Sequence, residues 1–105
     1  MEARKIIITG GATRIGAAIA KKLSGPGKEI VIHYNRSKSK AEKLKKELSK
    51  NNTKVYLVKG DLSEEKHVNK IVKFAKSKLK YFDCLINNAS LFENDKLENF
   101  STILF

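Results

Sequence analysis

Runs of apolar residues alternate along the chain with stretches in which apolar residues recur every three or four positions. Short continuous runs such as Ile6–Ile8 indicate buried strands, and the wider spacing indicates helices with one buried face. The clearest helical stripe consists of Val68, Ile71, Val72, Ala75 and Leu79. The pattern predicts strands at Lys5–Thr9, Glu29–Tyr34, Lys54–Lys59 and Asp83–Asn87, and helices at Arg14–Ser24, at Ser39–Lys50, after an N-cap at Ser63, and at Asp95–Phe105.

This alternation of strand and helix predicts an α/β fold, in which a parallel sheet is covered by helices on both faces. Right-handed crossovers favour a doubly wound sheet with the strand order 3-2-1-4. Ligands of such sheets lie beyond the carboxyl ends of the strands, where the order reverses. Four segments end at that edge: Thr9–Gly16, Asn35–Ser37, Asp61–Leu62 and Asn87–Ser90.

The length of 105 residues is that of one domain, and its 22 basic side chains against 11 acidic ones leave a net charge of +11. Such a charge raises the possibility of nucleic-acid binding. Only three of the basic residues are Arg, the side chain that reads base edges best. We therefore interpret most lysines as the solvated faces of helices and consider nucleic acid an improbable partner.

The remaining composition excludes some classes of protein. The single Cys84 excludes an intrachain disulfide and fits a reducing cytoplasm. No apolar run approaches the roughly 18 residues of a membrane helix, and we expect no membrane partner. We also assign no metal-binding residues.

The segment TGGATRIG, Thr9–Gly16, places a glycine-rich turn between a strand and a helix. It is not a triphosphate-binding loop, because Ala17 stands where that motif needs Lys, and Ala12 breaks the usual G-x-G-x-x-G dinucleotide pattern. The helix start can still bind a pyrophosphate through its free N–H groups. A tight turn without a ligand remains the alternative.

The end of the second strand favours a phosphorylated ribose. A site for NAD usually has a carboxylate there, about 20 residues beyond the glycine loop, to bind the ribose hydroxyls. This chain has Asn35-Arg36-Ser37 instead. Arg36 can hold a 2′-phosphate, and Ser37 can donate a hydroxyl or cap the next helix. Arg14 and Arg36 would then converge on one ligand, although Arg36 can also be an ordinary surface residue.

Four motifs in order resemble the short-chain dehydrogenase/reductase family, and its pteridine reductase branch most closely. They are TGGATRIG with Arg14 for the family's middle glycine, HYNRS at His33–Ser37, GDLS at Gly60–Ser63 and INNASLF at Ile86–Phe92. The resemblance covers the whole chain. It implies a Rossmann-like fold, NADP(H) as cofactor and a dihydropterin- or dihydrofolate-type substrate.

The resemblance also implies roles for individual residues. Four would lie at the cofactor pyrophosphate: Gly10, Arg14, Ile15 and Gly16. Three would hold the 2′-phosphate: Asn35, Arg36 and Ser37. Five would surround adenine, ribose and nicotinamide: Asp61, Leu62, Asn88, Ala89 and Ser90. A pterin-type substrate would contact Arg14, Ser90 and Phe92, although Phe92 can equally be a core or lid aromatic.

The catalytic Tyr-x-x-x-Lys pair of this family has no counterpart on a suitable helix. Tyr34 and Lys38 have the spacing, but they begin at the end of the second strand, while Tyr56 and Tyr81 lack the lysine. We therefore assign no catalytic residue and expect residues 1–105 to be a truncated, N-terminal cofactor-binding part that is inactive alone.

Three interpretations follow from this expectation: an NADP(H)-binding fragment, half of an enzyme completed by a second chain, or a basic binding module on the same scaffold. We also expect self-association through the edge of strand 4 or through the terminal helix, because both would expose apolar residues.

Overall fold

The computed structural model describes residues 4–88. Its elements in chain order are β1 (Lys5–Thr9), α1 (Arg14–Leu23), β2 (Glu29–Tyr34), α2 (Lys38–Ser49), β3 (Lys54–Lys59), α3 (Glu65–Leu79) and β4 (Cys84–Asn87). The helix expected over Asp95–Phe105 lies outside the described residues. Within residues 4–88, no helix has both the length and the apolar character needed to cross a membrane.

The four strands form one parallel sheet in the order β3-β2-β1-β4, which confirms the predicted topology. The central strand β1 pairs with β2 on one side and β4 on the other. Its residues Ile6, Ile7 and Ile8 are completely buried, because helices cover both faces of the sheet. That double burial explains why the strand is a continuous apolar run.

Successive residues of β1 enter two separate hydrophobic cores. Ile7 packs with α3 residues that include Val68 and Ile71. Ile6 and Ile8 pack on the opposite face, in a second cluster to which α1 and α2 contribute Ala20, Leu44 and Leu48. Because strand side chains alternate in direction, a run of three isoleucines serves both cores. The cores hold the carboxyl ends of the strands together at one edge of the sheet.

Asp83 fastens the start of β4 to the start of β1. Its Oδ2 accepts hydrogen bonds of 2.9 Å from the backbone N–H groups of both Arg4 and Lys5, and its own N–H donates to the Lys5 carbonyl. The two N–H donors lower the pKa of the Asp83 carboxyl. The predicted strand starts at Asp83, but this residue caps the strand pair, and β4 itself begins at Cys84.

The predicted N-cap at Ser63 is wrong. α3 begins at Glu65, with Glu64 as its N-cap. Ser63 instead donates its hydroxyl and its backbone N–H to Oδ1 of Asp61, at 2.7 and 2.9 Å. An aspartate side chain that accepts a hydrogen bond from the N–H two residues later forms an Asx turn. This local bond competes with helix capping by Ser63. The predicted start of α1 at Arg14 is confirmed, and the end of α1 and both ends of α2 differ from the prediction by one residue.

In the described part of the chain, β4 lies at one edge of the sheet. Cys84 and Leu85 of this strand are buried, whereas Asn87 is exposed. Self-association through this edge stays a prediction, and so does the cytoplasmic location.

Candidate functional site

A cleft of about 310 Å³ opens where the strands end, at the edge of the sheet that the sequence indicates. Seven of its lining residues are ones that the sequence analysis selects: Gly10, Asn35, Arg36, Ser37, Asp61, Leu62 and Asn88. Four others were not selected: Ala12, Thr13, His33 and Tyr34. Residues that are up to 78 positions apart in the chain thus form one concave surface.

The glycine-rich turn needs its glycines for two different reasons. Gly10 has a φ of 63°, a left-handed backbone conformation that L side chains rarely adopt. Gly16 has no room for a side chain: a Cβ there would collide with the carbonyl oxygen of Gly10 and would lie 2.7 Å from the Cα of Gly11. The first turn of α1 can therefore pack directly on the loop.

Thr13 and Asn88 hold the turn in place. Thr13 is the N-cap of α1, and its hydroxyl donates to the Gly10 carbonyl at 2.7 Å and accepts from the Gly16 N–H at 3.4 Å. The side-chain amide of Asn88 donates to the Gly10 carbonyl at 3.1 Å and to the Thr13 hydroxyl at 3.0 Å. Thr13 could have been selected from sequence, because threonine before a helix is a common N-cap.

The start of α1 is suited to binding an anion. The N–H of Gly16 donates to the Thr13 hydroxyl, whereas the N–H groups of Arg14 and Ile15 have no acceptor within residues 4–88. Free N–H groups and the positive end of the helix dipole together attract a phosphate. This end of the helix is next to the cleft, since Thr13 lines it.

Arg14, Ile15 and Gly16 are not among the residues that line the cleft. Arg14 is exposed, and Ile15 is 66% exposed. Arg14 thus does not line the cleft that Arg36 lines, and the convergence of both residues on one ligand stays a prediction. Arg14 is the first residue of α1. The backbone roles of these three residues at a pyrophosphate stay predictions.

The cleft is lined by both a cation, Arg36, and an anion, Asp61. Asp61 accepts from the hydroxyl and the N–H of Ser63, and these two bonds, with smaller contributions from His67 and Arg36, lower the pKa of its carboxyl. Asp61 is therefore an ionised acceptor. Ser37 is the N-cap of α2, but its side chain makes no capping hydrogen bond. Its hydroxyl is therefore not needed to cap the helix.

His33 is a cleft residue that the sequence analysis did not select. It lies in β2 with 2% of its surface exposed. Its Nδ1 is 3.0 Å from the Gly10 N–H nitrogen, and its Nε2 is 2.7 Å from the Gly60 carbonyl oxygen. A histidine inside the apolar run EIVIHY was the available signal, because a buried imidazole needs polar partners.

Asn88→Ala is expected to lower the free energy of unfolding by about 1–2 kcal/mol, because two hydrogen bonds to the glycine loop are lost. Urea denaturation measures the change. The matched control is Asn69→Ala on the exposed face of α3, where alanine is the better helix former and stability should not fall. Equal stability of Asn88→Ala and the parent chain would mean that Asn88 does not hold the loop.

The parallel sheet, the glycine-rich turn at a helix start and the cleft at the reversal of strand order define a Rossmann-like α/β protein. Comparison with known families agrees with this fold class and assigns the chain to a particular family within it. The family model for short chain dehydrogenase matches residues 4–104. The chain belongs to this family, whose members are oxidoreductases.

Individual relatives agree with this assignment. The short-chain dehydrogenase/reductase FrzI of a Cladobotryum species is 33% identical over 93 residues, which are 89% of this chain and 36% of that protein. The FolM alternative dihydrofolate reductase 1 of Brucella suis, solved with NADP, is 36% identical with a TM-score of 0.73, over 86% of this chain and 36% of the other. A dehydrogenase of Burkholderia cenocepacia, described as putative and solved with bound NADP, is 29% identical with a TM-score of 0.74, over 82% and 34%.

The chain thus spans little more than a third of the length of these relatives. Three residues assigned from the resemblance, Ala89, Ser90 and Phe92, lie outside the described part of the structure. Within residues 4–88, no group of three or more His, Cys, Asp or Glu side chains could hold a metal ion.

Proposed function

We propose that the cleft binds NADP(H), with the pyrophosphate at the start of α1 and the adenosine half between the ends of β2 and β3. The main observation behind this proposal is that Arg36 lines the cleft. The position that holds a ribose-binding carboxylate in NAD sites holds a guanidinium here, and a guanidinium pairs with a phosphate. Asn35 and Ser37 line the cleft beside it and can donate further hydrogen bonds to the same group.

The other end of the adenosine fits Asp61 and Leu62. Both residues line the cleft, and Leu62 is buried while the Asp61 carboxylate is ionised. An apolar surface beside a carboxylate suits adenine, whose ring is flat and whose exocyclic amine donates hydrogen bonds. The two NADP-bound relatives support the same cofactor.

We propose further that the chain supplies the cofactor-binding part of an oxidoreductase that reduces a dihydropterin- or dihydrofolate-type substrate. The FolM relative, a dihydrofolate reductase by name, supports this substrate class. In this proposal, NADPH supplies the hydride, and residues of this chain bind and orient the cofactor. Arg14, Ser90 and Phe92 are the residues proposed to face the substrate.

Tyr34 and Lys38 do not replace the family's catalytic pair. Tyr34 is in β2 and Lys38 is the first residue of α2, so the two are not one turn apart on a helix. Tyr34 also lines the cleft beside Arg36, at the proposed adenosine end. In this proposal the proton donor for reduction therefore comes from outside residues 1–105.

Titration of the 105-residue chain with NADPH and with NADH tests the proposed function. We expect NADPH to bind more tightly by about tenfold or more, because a charge-assisted hydrogen bond to the 2′-phosphate is available only in NADPH. Fluorescence of the reduced nicotinamide reports binding of both. Binding of neither, together with salt-dependent binding of DNA or RNA, would instead favour a basic nucleic-acid-binding module.

A further inference from the structure

The ring of His33 connects the loop after β1 with the loop after β3, across the end of β2. It bonds the N–H of Gly10 on one side and the carbonyl of Gly60 on the other. The backbone of β2 reinforces this connection, because the His33 carbonyl accepts from Gly11 and the Tyr34 carbonyl accepts from Gly60. His33 is therefore placed where three strand ends meet under the cleft.

The two partners of His33 fix its protonation state. A peptide N–H can only donate and a carbonyl can only accept, so Nδ1 must be the unprotonated acceptor and Nε2 must carry the hydrogen. A protonated ring would direct a second N–H at the N–H of Gly10. Of all the protonation states, only the neutral Nε2–H tautomer satisfies both contacts.

Gly10 is central to the glycine loop. Its carbonyl accepts from the Thr13 N–H, the Thr13 hydroxyl and the Asn88 amide. The residue whose N–H is held by His33 thus also anchors the N-cap of α1. A change at the ring is transmitted through one residue to the helix start proposed to bind the pyrophosphate.

We propose that His33 is a positioning residue for the dinucleotide: its neutral ring holds Gly10 and the start of α1 in the binding arrangement, and protonation of the ring releases them. This inference rests on the proposed function of the cleft. His33 acts through the loop, and we assign it no part in hydride transfer.

The surroundings of His33 favour the neutral ring. Burial lowers the pKa of His33, while the bond to Gly60 and the negative charge of Asp61 act in the opposite direction. The charge of Asp61 acts on the ring from the loop after β3. In α3, Nδ1 of His67 accepts from the Asp61 N–H at 2.8 Å, and Tyr34 and Arg36 of the β2 end line the same cleft. The segment Gly10–Thr13 brings no titratable side chain.

The direction of the pH effect follows from that lowered pKa. The unfolded chain has an ordinary histidine pKa of about 6.5, above that of the folded chain, so the unfolded state takes up the proton first. The stability contributed by the neutral ring is present above about pH 6.5 and is lost as the pH falls below it. Dinucleotide affinity should begin to fall at a lower pH than stability does, where the ring of the folded chain itself protonates.

Two substitutions separate the two contacts of the ring. His33→Asn places an amide near the position of Nδ1, so that it can accept from Gly10 but cannot reach Gly60. His33→Gln places an amide near Nε2, so that it reaches Gly60 but leaves Gly10 without an acceptor. Neither amide titrates. Calorimetric titration with NADP⁺ and with NAD⁺ between about pH 5 and pH 8 then measures the effect of each contact on binding.

For the parent chain we expect affinity for both dinucleotides to fall in acid. NAD⁺ is included because the 2′-phosphate of NADP⁺ titrates near pH 6 itself. His33→Asn should lose the acid dependence, and at about pH 8 its affinity should fall less than that of His33→Gln, because it keeps the contact to Gly10. His33→Gln should bind both dinucleotides about three- to tenfold more weakly at about pH 8, the effect of one lost hydrogen bond.

A loss of affinity at acidic pH that is seen only with NADP⁺ would overturn the proposal. So would an unchanged loss of affinity at acidic pH in His33→Asn, or binding by His33→Gln that equals that of the parent. The Gly10 amide resonance provides a readout without ligand, because it should follow the titration of His33 in the parent chain. If a variant fails to fold, this resonance still tests the coupling between His33 and Gly10 in the parent chain. A Gly10 amide resonance that does not follow the titration would overturn the proposal. Failure of the parent chain to bind any dinucleotide at about pH 8, with a responsive Gly10 amide, would overturn the proposed function and the positioning role that rests on it, while the coupling of His33 to Gly10 would stand.

Discussion

Arg36→Asp is expected to weaken NADPH binding by about ten- to a hundredfold, because the variant loses the charge-assisted hydrogen bond to the 2′-phosphate. The new carboxylate would also repel that phosphate, beside the negative charge already present on Asp61. NADH has only hydroxyls at that position of its ribose, and a carboxylate can accept hydrogen bonds from them. Its affinity should therefore be unchanged or improved, and fluorescence titration with both cofactors measures the reversal of preference.

The control for this experiment is Lys73→Glu, on the exposed face of α3. It makes the same change in net charge, so a general effect of the protein's positive field would appear in both variants. We expect Lys73→Glu to retain the preference for NADPH, with at most a small loss that disappears as salt is added. Unchanged NADPH affinity in Arg36→Asp would remove Arg36 from the site and, with it, the main support for the choice of cofactor.

Gly16→Ala is expected to lower the free energy of unfolding by about 1–3 kcal/mol and to abolish tight dinucleotide binding. In an ordinary helix this substitution stabilises, because alanine is the better helix former by about 1 kcal/mol. Here the added Cβ would strike the Gly10 carbonyl and would lie 2.9 Å from the side-chain amide of Asn88. Because two of its neighbours, at Gly10 and Gly11, are backbone, relief requires a movement of α1 away from the loop.

Gly60→Ala is the matched control for that substitution. A Cβ at Gly60 would also be close to a neighbour, at 2.9 Å, but that neighbour is Cδ1 of Ile71, the mobile end of a side chain. Rotation of Ile71 relieves the contact, and we expect a smaller loss of stability than in Gly16→Ala. Thermal unfolding of both variants gives the comparison. An equal or raised midpoint for Gly16→Ala would contradict the close packing of α1 on the glycine loop.

Much of the fold is predictable from local patterns, and β1 and α3 show why. A run of three isoleucines can only be buried on both sides, and the stripe from Val68 to Leu79 can only face one way. These preferences depend on neighbours within a few positions of the same segment. Because alternating segments of this kind leave few packings for a parallel sheet, the strand order 3-2-1-4 also followed.

The site was predictable only in part. Gly10, Arg36 and Asp61 could be selected because each lies within two residues of the end of a strand, and the carboxyl ends of parallel strands meet at one edge. Ser63 was placed as a helix cap because a serine before two glutamates satisfies the local rule. In the folded chain the Ser63 hydroxyl donates to Asp61 instead. No local rule decides whether such a serine caps the helix or bonds to the preceding aspartate.

The amino-acid order alone determined which segments are strands and helices, which faces of them are buried, and that a cation stands where a ribose-binding carboxylate is usual. Only the folded chain decided which polar groups meet: His33 with Gly10 and Gly60, Asn88 with Thr13, and Arg14 outside the cleft that Arg36 lines. Burial of apolar side chains is non-directional and repeats with a short period, so it can be predicted along the chain. A hydrogen bond requires two particular atoms at about 3 Å, and when those atoms are dozens of residues apart, only packing brings them together.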